Sequence, residues 1–534
     1  MIFILVSACG NAPKYSNIQK ADPVCSAAVK TESGMIKGVA EKETQTCAWH
    51  GIPFAAPPIN GLRWKAPAPP EPWQGVRDGS VWGPRCVQWN DLKWKFFNSD
   101  PSGKMSEDCL YLNIWRPKQD GKFPVMFFIH GGGYGLGTAN TPTYWGDRMA
   151  QAGEVVVVTI NYRLSLLGFL ALPGLRAEDP DQSTGNYGTL DQVAALKWVK
   201  NNIANFKGDP ENVTVFGESA GGWSICTLLA TPLARGLFRQ AIMESGGCRQ
   251  SATLEQGYEQ GKALAKKLGC NPGDLSCLSK VPAQNILEAT PMPVFSTFVF
   301  GPHEDGYVLS AKPWEMIAAG NFNKVPVIFG TNRDEMWPNA DSYNKDLKKL
   351  AVPEFPGKIS VLFKIPEAQA QELVRLYPPE KYGNRPFQAF ARMVTDFAFY
   401  CPTEQGLVPA AGQGVTAFRY RFDFDDYRLM GNGEVAMHAI ELPFVFNSFD
   451  RRMFSVFFSK KQAQAAAPLS KTIQSYWLNF AKTGDPNGPG LPVWPKFMPD
   501  SRIVQVLDHE VKSEPSQKSG QCNYWDQHDT RLDW

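Results

Sequence analysis

The feature that most constrains this chain is an abrupt change of periodicity. An apolar strand-like run, Val213 to Phe216, passes through Gly217-Glu218-Ser219-Ala220-Gly221 into a helix-like run from Ala220 to Leu229. The glycines make room for a tight bend and for a close strand and helix. Such a bend exposes the serine oxygen at a sheet edge, where a histidine can take the proton of an otherwise poor nucleophile. The pentapeptide alone is weak evidence, since roughly one chain in five of this length would carry it by chance. Its neighbours decide.

Further strand-like runs span Lys122 to His130, Glu154 to Arg163, Ala241 to Glu244, Val325 to Thr331, Val415 to Phe424 and Ile503 to Leu507. They alternate with helical or glycine- and proline-rich stretches. This is an α/β pattern around a largely parallel sheet. Long segments between strands, Gly247 to Lys324 and Pro338 to Gly414, are expected to fold over the sheet's carboxyl edge and build a gorge. Although 534 residues is long enough for several domains, no composition break interrupts the chain, and one large domain over residues 25–534 is expected.

The run FPVMFFI ends directly in His130-Gly131-Gly132-Gly133-Tyr134-Gly135. Only glycines let backbone N–H groups turn toward a substrate at such close range, so Gly131 and Gly132, with Ala220 after the serine, are the candidate oxyanion donors. An ordinary glycine turn after a strand is the plain alternative. In a serine–acid–histidine order the histidine follows Ser219, which removes His50 and His130. His303 leaves little room for a strand bearing the acid, His509 follows a strand, and His528 lies in a polar tail. His438, in a loop after Val415 to Phe424, is the candidate base. The acid is expected at the end of Val325 to Gly330, where Thr331-Asn332-Arg333-Asp334-Glu335 follows. On residues alone Asp334 and Glu335 are tied.

At this point the chain resembles the type-B carboxylesterase and lipase family, which includes cholinesterases and bile-salt lipases. The matching segments include Gly51-Ile52-Pro53-Phe54-Ala55, Glu107-Asp108-Cys109-Leu110, Asn161-Tyr162-Arg163, Gly185-Asn186-Tyr187-Gly188, Phe216 to Gly222, Asn332-Arg333-Asp334-Glu335, His438-Ala439-Ile440-Glu441 and Trp477 to Trp494. The resemblance implies an α/β-hydrolase fold and a serine esterase, with Glu335 as the triad acid, His438 as the base, and Ser245 behind the triad, hydrogen-bonded to acid and histidine. By position it implies that Ser296, Phe298 and Phe300 shape an acyl pocket; Trp223, four residues after Ser219, should also crowd the site. Met336-Trp337 departs from the family's usual glycine after the acid. The choline-binding tryptophan of cholinesterases falls at Ser99, with Trp94, Phe96 and Phe97 nearby, so a quaternary-ammonium substrate is not expected. The resemblance further implies the disulfides Cys86–Cys109, Cys270–Cys277 and Cys401–Cys522, and an ion pair between Arg63 and Glu107.

Eleven cysteines, with no C-x-x-C pair and no Cys/His cluster, argue for disulfides and against zinc. Cys25 and Cys47 flank a hairpin-like segment, Ala28 to Thr46, and are expected to pair. Cys226 is expected as a buried free thiol, and Cys248 has no assigned partner. Met1 to Ala8 is apolar and ends at Val6-Ser7-Ala8-Cys9, which resembles a lipobox with Cys9 as the acylated residue; residues 1–24 thus form an export segment and linker. The basic leading region of a full signal is missing, so a late start codon or a trimmed signal is implied, and a frayed apolar terminus is the alternative. An exported protein, periplasmic, lipid-anchored or extracellular, agrees with the disulfides. Asn212-Val213-Thr214 is a sequon that opens the strand before Ser219.

A net charge of +2 from 54 basic and 52 acidic residues gives no footprint for nucleic acid, and no metal or organic cofactor is called for. The expected partner is a small or lipophilic ester, with membrane contact only through the N-terminal anchor. Two rival readings stand beside the esterase. One is a binding or adhesion module of the same fold, against which the complete site argues. The other is cleavage of amides, carbamates or thioesters by the same residues.

Overall fold

The computed structural model describes residues 22–89, 100–290, 300–336, 346–428, 435–451, 454–516 and 520–528. Cys9, Trp94, Phe96, Phe97, Ser99, Ser296, Phe298 and Trp337 lie outside them. Among the described residues one sheet has eleven strands: β1 Val39–Ala40, β2 Thr46–Pro53, β3 Tyr111–Pro117, β4 Phe123–Ile129, β5 Val156–Ile160, β6 Gly208–Glu218, β7 Gln240–Glu244, β8 Val327–Asn332, β9 Ala417–Phe422, β10 Ile503–Leu507 and β11 Lys512–Pro515. Their spatial order is β11-β10-β9-β8-β7-β6-β4-β5-β3-β2-β1. From β5 through β10 the strands run parallel. The pairs β1–β2, β2–β3, β3–β5 and β10–β11 are antiparallel.

The central strands are apolar almost without interruption because helices cover both faces, and a parallel strand buried on both sides has no polar face to show. Val125 to Ile129 and Val155 to Val158 are fully buried. The helices that matter for the site are α1 Tyr187–Asn202, α2 Ala220–Ala230, α3 Pro386–Thr395, α4 Cys401–Gly412 and α5 Lys460–Thr483. A capping box, in which Ser459 and Gln462 satisfy each other's backbone N–H groups, starts α5, and Gly484 at φ +80° stops it. Trp477 of α5 reaches under the sheet to donate to Glu244 Oε1 at 2.5 Å. No helix of the described residues is long and apolar enough to cross a membrane.

The strand feeding Ser219 is longer than Val213 to Phe216, because Gly208 already pairs with Phe123. The hairpin Ala28–Thr31 with Gly34–Lys37 stands between Cys25 and Cys47. Among the described residues five disulfides close the chain: Cys25–Cys47, Cys86–Cys109, Cys226–Cys248, Cys270–Cys277 and Cys401–Cys522. The expectation of a free thiol at Cys226 is therefore corrected. The reason is tertiary: Cys226 lies on α2 and Cys248 on the loop after β7, and α2 packs against that strand. Closing a loop of 22 residues stabilises a fold by about 3 kcal/mol where the native geometry accepts the bridge.

Candidate active site

Parallel strands place the residues that follow them along one edge. The glycine loop follows β4, Ser219 follows β6, Ser245 follows β7, Asp334 and Glu335 follow β8, and His438 lies on the long connection after β9. Five adjacent strands thus deliver their next residues to the carboxyl edge, where open α/β sheets build their sites.

Ser219 is the N-cap of α2, with φ 58° and ψ −121°. A non-glycine residue in that region is strained, and it is held there by its N–H donating to Glu244 O at 3.0 Å and its carbonyl accepting from Trp223 N at 2.9 Å. The flanking glycines are sterically required. A Cβ at Gly221 would lie 2.0 Å from Ile129 O, and one at Gly217 would meet the Gly221 backbone at 2.7 Å. The glycine loop approaches as closely, since a Cβ at Gly131 would sit 2.8 Å from the Ser219 Cβ. Gly132 and Gly133 have φ +107° and +60°. The loop is fixed from behind by Tyr162 Oη donating to His130 O at 2.9 Å, and by Gln88, whose amide exchanges hydrogen bonds with the Gly137 backbone at 2.8 and 2.9 Å.

The candidate acid and the candidate base meet. Glu335 Oε2 lies 2.6 Å from His438 Nδ1, Glu335 Oε1 accepts from Asn332 N at 2.7 Å, and the His438 N–H donates to Glu335 O at 3.2 Å. Glu335 is completely buried. Asp334 faces away, its Oδ2 accepting from Arg333 Nε at 2.8 Å and from Ala436 N at 3.1 Å. The tie between the two carboxylates is thereby broken in space. His438 Nε2 lies 3.1 Å from Oε1 of Glu218, the residue before Ser219.

Ser245 requires a correction. It was expected on the acid and the histidine; its hydroxyl instead donates to Glu441 Oε1 at 3.2 Å, and Asn332 Nδ2 donates to Glu441 Oε2 at 2.5 Å. Asn332 is the bridge, giving its backbone N–H to Glu335 and its side chain to Glu441. A second buried carboxylate thus stands where the hydroxyl was expected to touch the first. Glu218, Glu244 and Glu441 form an acidic cluster to which sequence reading assigned no role, although a carboxylate ending each of two apolar strands was a legible signal.

Burial pushes the carboxyls of Glu218, Glu244 and Glu441 up, Glu244 to about 8 and Glu441 to about 7. Burial works against a charged His438, but the Glu218 charge, the hydrogen bond to Glu335 and its charge outweigh it and raise the imidazole to about 9. The proton shared by the His438 and Glu218 pair is placed on His438, which has carboxylates on both nitrogens. A base must be neutral to accept a proton, so kcat/KM is expected to climb with pH toward about 9. Glu218→Gln removes a negative charge, destabilises the imidazolium, and should move this acid limb to lower pH. A pH profile of kcat/KM for both forms checks it; a limb that stays in place or moves up would refute the coupling.

Trp223 is buried, with its ring 5.8 Å from Tyr134. Phe300 is buried and stacks on Trp89 at 6.0 Å. Arg63 and Glu107 are joined through two hydrogen bonds, of 2.7 and 2.5 Å. Among the described residues no group of His, Cys, Asp and Glu side chains is arranged to hold a metal ion.

Fold and site together define an α/β-hydrolase. The profile of the Carboxylesterase family matches residues 25–525. The para-nitrobenzyl esterase of Bacillus subtilis is 39% identical over 505 residues, covering 92% of this chain and 96% of that protein. The fumonisin B1 esterase of Sphingopyxis macrogoltabida is 39% identical over 480 residues, covering 88% and 84%. A solved carboxylesterase structure from Geobacillus stearothermophilus superposes with a TM-score of 0.80 at 34% identity, over 93% of this chain and 99% of that one. The chain belongs to the carboxylesterase family and is a carboxylic-ester hydrolase.

Proposed function

We propose that ester hydrolysis proceeds through an acyl-enzyme on Ser219. His438 takes the proton from Ser219 Oγ as the oxygen attacks the ester carbonyl, and Glu335, accepting from Nδ1, holds the neutral tautomer in which Nε2 carries no proton. The N–H groups of Gly131, Gly132 and Ala220 donate to the developing oxyanion, each worth roughly 2.7–4 kcal/mol in the transition state. The imidazolium then protonates the leaving alcohol, and water repeats the cycle to release the acid. The observation that carries this reading is the 2.6 Å contact between Glu335 and His438, with His438 Nε2 3.1 Å from Glu218, the residue before Ser219. The catalytic domain is read as beginning at residue 25, after an export segment, and the five disulfides fit an oxidising compartment.

The test is turnover of p-nitrophenyl acetate, butyrate, octanoate and palmitate, of the matched p-nitroanilides, and of p-nitrobenzyl esters, to which the Bacillus relative's name points. A burst of one p-nitrophenol per active site, and stoichiometric labelling of the Ser219 peptide by a fluorophosphonate, are expected. Folded protein that turns over none of the esters, or a label on another residue, would defeat the assignment. Anilides cleaved faster than esters would favour the amidase reading.

A further inference from the structure

Oxyanion donors that are backbone N–H groups have no side chain of their own to aim them, so their direction depends on the loop that carries them. The loop from Gly131 to Gly137 is ill suited to hold a shape alone. Gly132, Gly133 and Gly137 have φ +107°, +60° and +107°, and glycine loses more backbone freedom on folding than any other residue. Nor can bulk be added to stiffen it. A Cβ at Gly137 would collide with the His130 imidazole and stand 2.5 Å from Gly131 O, and one at Gly132 would collide with the Leu136 carbonyl. The order has to come largely from outside the loop.

Within the loop, Gly132 O accepts from the N–H groups of Gly135 and Leu136, both at 3.0 Å. On the near limb, Tyr134 O accepts from Ser165 N at 2.7 Å, and Tyr134 Oη lies 3.2 Å from Ser224 Oγ, which donates to Ala220 O at 2.9 Å. This limb is thus tied to α2, the helix that carries Ala220. On the far limb both backbone groups of Gly137 are taken by one side chain. Gln88 Oε1 accepts from Gly137 N at 2.9 Å, and Gln88 Nε2 donates to Gly137 O at 2.8 Å and to Cys86 O at 3.1 Å. Among side chains, only a primary amide offers an acceptor and two donors at one planar tip. Gln88 is fully buried and stands two residues after Cys86, whose disulfide to Cys109 fastens the segment just ahead of β3. Alongside, Asn161 Nδ2 donates to Pro84 O at 3.1 Å while its Oδ1 accepts from Ala139 N at 2.9 Å, and Asn140 Nδ2 donates to Gly83 O at 2.8 Å. Residues 83–88 and 137–140 therefore form one hydrogen-bonded seam, and Gln88 is the member that reaches the loop itself.

We propose that Gln88 is a positioning residue for ester hydrolysis: by gripping both backbone groups of Gly137 it fixes the far limb of the glycine loop, and with it the direction of the N–H groups that meet the oxyanion. It acts on the loop and through it on the transition state. The proposal rests on the acyl-enzyme reading above.

The test compares wild type, Gln88→Met and Gln88→Glu on p-nitrophenyl butyrate, with rates taken per active site counted by fluorophosphonate labelling carried to completion, so that unfolded protein drops out. Methionine keeps the length and bulk of Gln88 and loses its hydrogen bonds to Gly137. Glutamate keeps the shape and turns the donor on Gly137 O into an acceptor. Two inhibitors are measured beside the ester. Trifluoromethyl hexyl ketone takes Ser219 Oγ onto its carbonyl carbon, passes the serine proton to His438 and leaves an alkoxide among the oxyanion donors; methyl hexyl ketone, far less electrophilic, binds without forming that alkoxide. Both variants should lower kcat about tenfold to a hundredfold with KM little changed. They should weaken the trifluoromethyl ketone by a similar factor, while binding of the methyl ketone stays within about threefold of wild type. Both replacements fill the space of Gln88, so a role in packing alone leaves kcat per site and the preference between ketones as they were. A kcat per site within about threefold of wild type in both variants, a loss confined to KM, or an undiminished preference for the trifluoromethyl ketone would overturn the proposal. If one variant does not fold, the other decides. Failure of the acyl-enzyme reading is visible separately, in a wild type that shows no burst on any ester and no label on Ser219.

Discussion

Ser219→Ala lowers kcat toward p-nitrophenyl esters by about a million-fold, the loss expected when the nucleophile of a Ser-His-acid unit is removed and only the oxyanion donors and binding remain. The substitution deletes one oxygen and asks nothing new of the backbone. Ser219 already holds φ 58° and ψ −121° with a Cβ in place, and alanine fits the same volume. Thermal unfolding should therefore stay close to wild type, which separates a lost reaction from a lost fold. KM should change little, because the removed interaction belongs to the transition state. Retained turnover within a hundredfold of wild type would mean that another group attacks the ester.

Glu335→Gln is the second large effect, with kcat expected to fall about 10⁴-fold. The amide keeps the shape and can still accept the Asn332 N–H, but it can present an N–H to His438 Nδ1 where a carboxylate stood 2.6 Å away. The imidazole then carries its proton on Nε2, the wrong atom for a base that must accept the Ser219 proton there. Asp334→Asn is the control. Its carboxylate is engaged by Arg333 and Ala436, so kcat should remain within about tenfold. The comparison is read from kcat on p-nitrophenyl butyrate at one pH above the acid limb. An equal loss in both variants, or a larger one in Asp334→Asn, would reverse the assignment of the acid.

The carboxylate expectation marks where the residues alone stop, and there only the family resemblance chose Glu335. Asp334 and Glu335 are adjacent, both acidic, and both at the end of one strand, so composition and spacing treat them alike. Only the long connection after β9 decides which one meets an imidazole 103 residues away. Ser245 shows the same limit: its place at the end of β7 was legible, its partner was not, because Glu441 reaches it across 196 residues of sequence. Cys226 failed for the same reason, since a cysteine on a helix carries no sign of what its outer face touches.

What the sequence determined by itself is the local chemistry. Apolar strands without a polar face require cover on both sides, and Gly217, Gly221 and Gly131 mark a tight bend and a close backbone approach. A serine, a glycine loop, a strand-end acid and a later histidine in that order require a parallel sheet to bring them to one edge. The tertiary structure decided the distances: which carboxylate faces the histidine, and that Cys226 and Cys248 lie within a bond of each other. Such facts depend on pairs far apart in the chain, and their energies arise only when burial removes the water that would otherwise screen the charges and solvate the polar groups.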